Sequence, residues 1–83
     1  MNEVDTRAVM VRTLREIAPE IDPKTLDPDV HLREQVDLDS MDWLNFIVAV
    51  GEKFGVEIAE TDYQRLVTVN DFVHYVLAPP VTH

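Results

Sequence analysis

The sequence predicts an all-α protein, a four-helix bundle of three main helices and one short helix with a long first loop. Two observations carry this prediction. Apolar residues recur at helical spacing in three separate segments, and capping residues stand at the starts of two of them. Because 83 residues leave room for only one small hydrophobic core, we expect residues 1–83 to form a single domain.

The first helix is predicted over residues 4–18. The residues expected to face its core share helical spacing and are Val4, Ala8, Val11, Leu14 and Ala18. The arginines of this segment lie off that stripe. Pro19 follows directly and is placed to end the helix.

Residues 20–38 are predicted to form a long loop. Pro23, Pro28 and six carboxylates argue against a second long helix here. Loops of about 20 residues are uncommon in small domains unless they are functional or packed. The segment carries apolar residues that we expect to pin it to the core, namely Ile21, Leu26, Val30, Leu32, Val36 and Leu38.

The second main helix is predicted over residues 40–54, with Asp39 as its N-cap and Gly55 as its stop. Asp42, three residues after the cap, is placed to complete the capping pattern. One apolar stripe is expected to face the core and contains Phe46, Ile47, Val50 and Phe54. A second apolar stripe adjoins Ser40 and contains Met41, Leu44 and Val48. This second stripe is either buried in the bundle or exposed as a docking strip for a partner.

The last two helices follow Gly55. A short helix over residues 60–66 is expected to pack through Tyr63 and Leu66. The final helix is predicted over residues 69–77. Thr68 and Asp71 form a capping box at its start, and Pro79-Pro80 closes it.

Composition limits the classes of function. The chain has no cysteine and carries sixteen acidic against seven basic residues, a formal charge of −9. Such a surface should repel nucleic acid and anionic lipid and attract basic protein surfaces. No apolar stretch approaches the roughly 20 residues that span a bilayer. We therefore expect a cytoplasmic protein that binds neither nucleic acid nor membranes.

Neither hydrolytic nor metal chemistry is supported by the spacing of polar residues. A serine nucleophile at Ser40 needs a positioned base, and His31, His74 and His83 are not tied to it by spacing. A calcium loop that starts at Asp37 or Asp39 places a valine at the bidentate position and lacks the central glycine. We expect no catalytic residue and no metal site.

The segment Asp39-Ser40-Met41-Asp42 is the most informative part of the chain. With Asp39 as the cap, Ser40 occupies the first helical position, beside the positive end of the helix dipole. A helix N-terminus is suited to holding a phosphate group. Taken alone, however, the same residues are ordinary for the start of a helix.

On these residues the chain resembles the acyl carrier protein family, which includes the peptidyl and aminoacyl carriers. The family's signature, Asp-Ser-Leu followed by an acidic residue, reads Asp39-Ser40-Met41-Asp42 here. The resemblance covers essentially the whole chain and extends through Phe46, Val50, Phe54, Ile58 and the run Leu66-Val67-Thr68-Val69.

The resemblance implies a carrier that is not an enzyme. A phosphopantetheinyl transferase would attach 4'-phosphopantetheine from coenzyme A to Ser40 in a magnesium-dependent reaction, beside Asp39 and Trp43. The thiol of the arm would hold an acyl or aminoacyl group as a thioester. An acyl or aminoacyl ligase or transferase and downstream synthases would be the partners of a monomer. The expected partner surface comprises Asp39, Met41, Asp42, Leu44 and Val48.

Three features depart from the family pattern. Asp37 stands where a glycine is usual, and it can still adopt a left-handed turn but at a greater energetic cost than glycine. Trp43 replaces a smaller residue and either contacts the arm, narrows an acyl pocket or packs against the neighbouring helix. Positions that are acidic in fatty-acid carriers are neutral or basic here, namely Asn45, Gly51, Lys53 and Gln64.

The charge changes predict poor docking to general fatty-acid enzymes. We therefore expect a stand-alone carrier of a specialised pathway. The sequence does not name the pathway, and fatty acid, polyketide and nonribosomal peptide biosynthesis are the alternatives. The alternative from another functional class is an acidic helical adaptor that binds a partner without being modified.

Overall fold

The computed structural model describes residues 2–78 as helices joined by loops, with no strand in that range. The elements in chain order are α1 (Glu3–Ile17), α2 (Leu32–Gln35), α3 (Ser40–Phe54), a 3-10 helix (Glu60–Arg65) and α4 (Val69–Leu77). The predicted all-α class and the three main helices are confirmed. None of the helices described is long and apolar enough to cross a membrane.

The buried face of α1 differs from the predicted one. Val4 is 68% exposed and Ala8 is also exposed, so the prediction that they face the core is wrong. The residues of α1 that are buried are Thr6, Met10, Thr13 and Leu14. Each threonine hydroxyl donates to a backbone carbonyl four residues earlier, at 2.7 and 2.8 Å. Because these hydroxyls are satisfied within the helix, both threonines can be buried.

The predicted long loop contains the four-residue helix α2, which the sequence did not reveal. Leu32 at its start is fully buried, and the Leu32 N–H donates to the Val67 carbonyl at 2.8 Å. The Asn70 N–H likewise donates to the Pro28 carbonyl at 3.0 Å. These two bonds fasten the loop to the segment that begins α4. Of its apolar residues, Val30 is 37% exposed and so contributes least to the core.

The ends of α3 and α4 follow the predicted capping residues. Gly55 ends α3 in the left-handed conformation, with φ 64°, and its N–H donates to the Gly51 carbonyl. At the start of α4, Asp71 N–H donates to the Thr68 hydroxyl at 3.0 Å and the Asp71 carboxylate accepts from Thr68 N–H at 3.0 Å. The predicted capping box is therefore confirmed. Pro79-Pro80 and His83 lie outside the described residues.

An aromatic cluster forms the centre of the core between α3 and α4. The Phe46 and Phe72 rings meet edge to face, with centroids 4.9 Å apart. Trp43 meets Phe72 edge to face at 5.8 Å and lies tilted against Phe46 at 6.0 Å. α1 packs against both α3 and α4. This core packs one face of α3, whose N-terminus lies at the surface.

Candidate functional site

The N-terminus of α3 has the predicted cap. The Asp39 carboxylate accepts a hydrogen bond from the Asp42 N–H at 2.8 Å, and the Asp39 carbonyl accepts from the Trp43 N–H at 3.0 Å. The Asp42 side chain does not return a bond to the Asp39 N–H in this structure, so the expected capping pattern is half formed. Ser40 is the first residue of α3, and its side chain is exposed.

Two backbone donors remain available beside Ser40. Within residues 2–78, the N–H groups of Ser40 and Met41 have no hydrogen-bond partner. They lie at the positive end of the dipole of a 15-residue helix. An exposed hydroxyl beside free amides of this kind is suited to a phosphate ester.

Asp37 does not use the left-handed conformation that its position suggested. Gly55 alone has a positive φ among residues 2–78, so Asp37 does not bear the energetic cost of a left-handed turn. Asp37 is exposed between Val36 and Leu38, which are 7% and 6% exposed. Alternation of this kind is typical of extended backbone, where successive side chains point to opposite sides. The approach to α3 is therefore anchored by two apolar side chains and needs no glycine.

The second apolar stripe of α3 is exposed. Met41, Leu44 and Val48 are 67%, 44% and 53% exposed, and we call them the exposed stripe. The alternative that both stripes are buried in the bundle is therefore wrong. The exposed stripe begins beside Ser40 and runs along α3, with the carboxylates of Asp39 and Asp42 at the same end.

Trp43 has two roles in the structure. One side of its ring packs against Phe72 of α4, as expected for a core contact. The ring is half-buried and also lines a surface cavity of about 290 Å³, which we call the Trp43 cavity. The other residues that line this cavity are His31, Arg33, Tyr63, Gln64 and Val67. The contribution of His31 and Arg33 was not apparent from the sequence, because it depends on how the long loop folds back.

Two of the departures in charge have local structural reasons. The Lys53 ammonium lies 2.6 Å from the Glu16 carboxylate and joins α3 to α1. A Cβ at Gly51 would lie 2.9 Å from the Val56 carbonyl oxygen, so any side chain there would force the backbone to shift. Asn45 and Gln64, in contrast, are exposed.

A polar cluster ties the 3-10 helix to α4. Asp62 is only 9% exposed, and its carboxylate accepts a 2.9 Å hydrogen bond from the Tyr75 hydroxyl and pairs with Arg65. The bonds from Tyr75 and then Arg65 hold the pKa of Asp62 below its usual value. Burial, and then the bond to Asp62, raises the pKa of Tyr75. No pattern in the sequence distinguishes this buried acid from its exposed neighbours.

The histidines described are not paired with Ser40. His31 is exposed at the Trp43 cavity, and the His74 ring lies 3.6 Å from the Glu3 carboxylate on the side of α4. Among residues 2–78, no three His, Asp or Glu side chains are grouped so that they could hold a metal ion.

Comparison with known proteins agrees with this arrangement. The family model described as a phosphopantetheine attachment site matches residues 8–76. The acyl carrier protein of Campylobacter curvus is 32% identical over 72 residues, which cover 87% of each chain. That of Campylobacter jejuni is 33% identical with the same coverage. That of Thermosynechococcus vestitus is 34% identical over 56 residues, 68% of this chain and 69% of the relative. The chain therefore belongs to the acyl carrier protein family, whose members are carriers and not catalysts.

Proposed function

We propose that this protein carries acyl or aminoacyl groups as thioesters on a 4'-phosphopantetheine arm attached to Ser40. The observation that supports this most directly is the position of the hydroxyl. It is exposed on the first residue of α3, beside two free backbone donors, and Asp39 already supplies the cap. Ser40 is also the only serine in the chain.

In the proposed attachment reaction, this protein supplies only the acceptor hydroxyl and the surroundings of the product. A transferase with magnesium would join the Ser40 Oγ to the phosphorus of the phosphopantetheine half of coenzyme A. The anhydride bond of coenzyme A breaks, its nucleotide half leaves, and the hydroxyl proton is lost. The N–H groups of Ser40 and Met41 and the dipole of α3 favour the negative charge of the resulting phosphodiester. When bound, the arm supplies a thiol that takes up the acyl or aminoacyl group.

We further propose that partner enzymes dock on the exposed stripe together with Asp39 and Asp42. These enzymes would be the phosphopantetheinyl transferase, a loading ligase or acyltransferase, and downstream synthases. The exposed stripe is an apolar helix face that no other part of the described protein covers. A helix with such a face can bind in the apolar groove of a partner. The carboxylates and the net charge of −9 would orient the complex with basic partner surfaces. We expect a cytoplasmic monomer that binds neither nucleic acid nor membranes.

We also propose that the pathway is a specialised one. Asn45 and Gln64 support this proposal most, because both are exposed and neutral. Gly51 and Lys53 carry less weight, because the Val56 carbonyl excludes a side chain at one and Glu16 pairs with the other. A basic partner surface that expects acids at these exposed positions would lose steering and orientation.

Intact mass spectrometry tests the attachment site. The wild type, incubated with coenzyme A, magnesium and a broad-specificity phosphopantetheinyl transferase, should gain one phosphopantetheine. Ser40→Ala should remain folded and gain none, whereas Thr61→Ala, at an exposed hydroxyl, should be modified like the wild type. An unmodified wild type would favour the adaptor, and modification of Ser40→Ala would place the site elsewhere.

The pathway proposal is tested by turnover with a fatty-acid ketoacyl synthase. The wild type should be a poor substrate, and Asn45→Glu with Gln64→Glu should improve turnover when both carry the same acyl group. Lys53 is left unchanged, because a glutamate there would face Glu16 and disturb the contact between α1 and α3. Wild-type turnover equal to that of a housekeeping carrier, with no gain in the variant, would contradict the proposal.

A further inference from the structure

The Trp43 cavity is built from four separate parts of the chain. α2 and its flank contribute His31 and Arg33, α3 contributes Trp43, and the 3-10 helix contributes Tyr63 and Gln64. Val67, in the segment before α4, completes the lining. The volume of about 290 Å³ lies at the lower end of the range for ligand pockets, so the cavity suits a short organic group.

The walls of this cavity are held in place. Leu32, which lies between His31 and Arg33, is fully buried, and its N–H donates to the carbonyl of Val67 at 2.8 Å. Two of the segments that line the cavity are therefore joined by a backbone hydrogen bond. The Trp43 ring also packs edge to face against Phe72 of α4, and this contact holds it in the lining of the cavity. The cavity is a formed feature of the fold, with apolar surface at Trp43, Tyr63 and Val67.

The charge of the lining is opposite to that of the molecule. The chain carries sixteen acidic residues, yet none lines the Trp43 cavity. In contrast, carboxylates line the cavities beside Tyr75, beside Ile21 and beside Val56. No carboxylate in the described part of the chain lies within ion-pairing distance of Arg33. The cavity thus has in its lining, next to aromatic surface, an arginine without an ion-pair partner in the described part of the chain.

The cavity is close to the proposed attachment site. Trp43 is three residues after Ser40 in α3, so the two side chains are neighbours on adjacent turns of the helix. The arm attached to Ser40 therefore starts at the edge of the cavity, and it folds back if the acyl group on its terminal thiol is to enter.

We propose that the Trp43 cavity receives the end of a short acyl group that terminates in a carboxylate. The inference rests on the proposed carrier function and names the class of its cargo. The guanidinium of Arg33 pairs with the terminal carboxylate, while Trp43 and Val67 pack against the methylene groups. An uncharged acyl chain of the same length fills the same apolar surface but leaves Arg33 without a partner. A terminal ammonium group would meet like charge at Arg33.

The test uses Trp43 as the reporter, because it is the only tryptophan in the chain. The transferase loads Ser40 from either succinyl- or butyryl-coenzyme A, whose acyl groups have the same number of carbon atoms, and mass spectrometry verifies loading. Acrylamide quenching then measures how accessible the Trp43 ring is. The succinyl form should be quenched about twofold less efficiently than the butyryl form. Because Arg33 is exposed, added salt should reduce this difference.

Variants distinguish an effect of Arg33 from a general effect of the protein's positive charges. Arg33→Gln should abolish the difference between succinyl and butyryl forms, and Arg33→Lys should retain part of it. Arg12→Gln is the matched control, because Arg12 is an exposed arginine at another cavity that no carboxylate lines, and it should keep the full difference.

The outcomes distinguish this inference from the function on which it rests. Equal quenching of the loaded succinyl and butyryl forms, or a difference that persists in Arg33→Gln, would overturn the cargo assignment and leave the carrier function intact. A wild type that gains no arm by mass would overturn both.

Discussion

The two faces of α3 carry similar apolar side chains but lie in opposite environments. Phe46, Ile47 and Val50 are 0–1% exposed, whereas Met41, Leu44 and Val48 are 44–67% exposed. All six residues belong to one helix of 15 residues. Apolar character alone therefore does not decide whether a side chain of α3 is buried. What decides it is which neighbouring element covers the face.

The buried face is covered by two helices. α1 packs against α3, and Phe72 of α4 meets Phe46 edge to face. The exposed stripe starts instead at the free N-terminus of α3, beside the proposed attachment residue. A protein that leaves three large apolar side chains exposed on one helix loses solubility unless a partner uses them. We attribute the difference between the faces to the proposed docking of partners, and four sets of variants test it.

Phe46→Ala should have the largest effect on stability. Phe46 is fully buried and contacts both Trp43 and Phe72, so its loss leaves a cavity at the centre of the core. We expect a loss of about 3–5 kcal/mol in the free energy of unfolding. Denaturant unfolding followed by circular dichroism measures it. A loss below about 1 kcal/mol would mean that this face is not the core.

Val50→Ala and Val48→Ala form a matched pair. The two valines share a helix and undergo the same change in helix propensity, but Val50 is fully buried and Val48 is 53% exposed. We expect Val50→Ala to be less stable than Val48→Ala by about 2 kcal/mol, since burial of two methyl groups is lost only at Val50. Equal unfolding midpoints of the two variants would show that the faces do not differ in burial.

Asp39→Ala tests the N-terminal cap of α3, beside which the exposed stripe begins. The Asp39 carboxylate caps the helix by accepting from the Asp42 N–H at 2.8 Å. Its removal should cost about 1 kcal/mol. Ser40→Ala is the neighbouring control and should stay within about 0.5 kcal/mol of the wild type, because the Ser40 hydroxyl is exposed and Asp39 supplies the cap. If Ser40→Ala is the less stable variant, the roles of the two residues are reversed.

Leu44→Ala should have the smallest effect on stability and a clear effect on docking. Leu44 is 44% exposed, so we expect a loss of about 0.5 kcal/mol in stability. A cognate loading enzyme should lose about tenfold in kcat/KM, as for an apolar contact central to an interface. Val4→Ala, at an exposed apolar residue of α1, is the control and should leave turnover unchanged. A stability loss of about 2–5 kcal/mol would instead show that Leu44 is structural.

Local sequence patterns predicted the helices well. Asp39, Gly55 and the Thr68–Asp71 capping box act through residues within four positions along the chain, so their geometry follows from the sequence alone. The 3-10 helix was also predicted as a short helix at the right place, although no side chain caps it. The four-residue α2 was not, because it depends on a hydrogen bond from Leu32 to the distant Val67.

Predictions of burial were less successful where a polar side chain competed with an apolar one. In α1, Thr6 and Thr13 are buried while Val4 and Ala8 are exposed. The threonines satisfy their hydroxyls within the helix, which no count of apolar residues can anticipate. Asp62 is a similar case, since its burial depends on Tyr75, thirteen residues later.

The sequence by itself determined the three main helices, the caps of α3 and α4 and the position of Ser40 at the start of α3, because these depend on interactions between near neighbours in the chain. Only the tertiary structure decided which face of α3 is covered and brought Arg33 to the same cavity as Trp43. Both depend on contacts between residues far apart in the sequence. Such contacts form only when the hydrophobic core orders the long loop against the segment before α4, as the bond from Leu32 to Val67 shows.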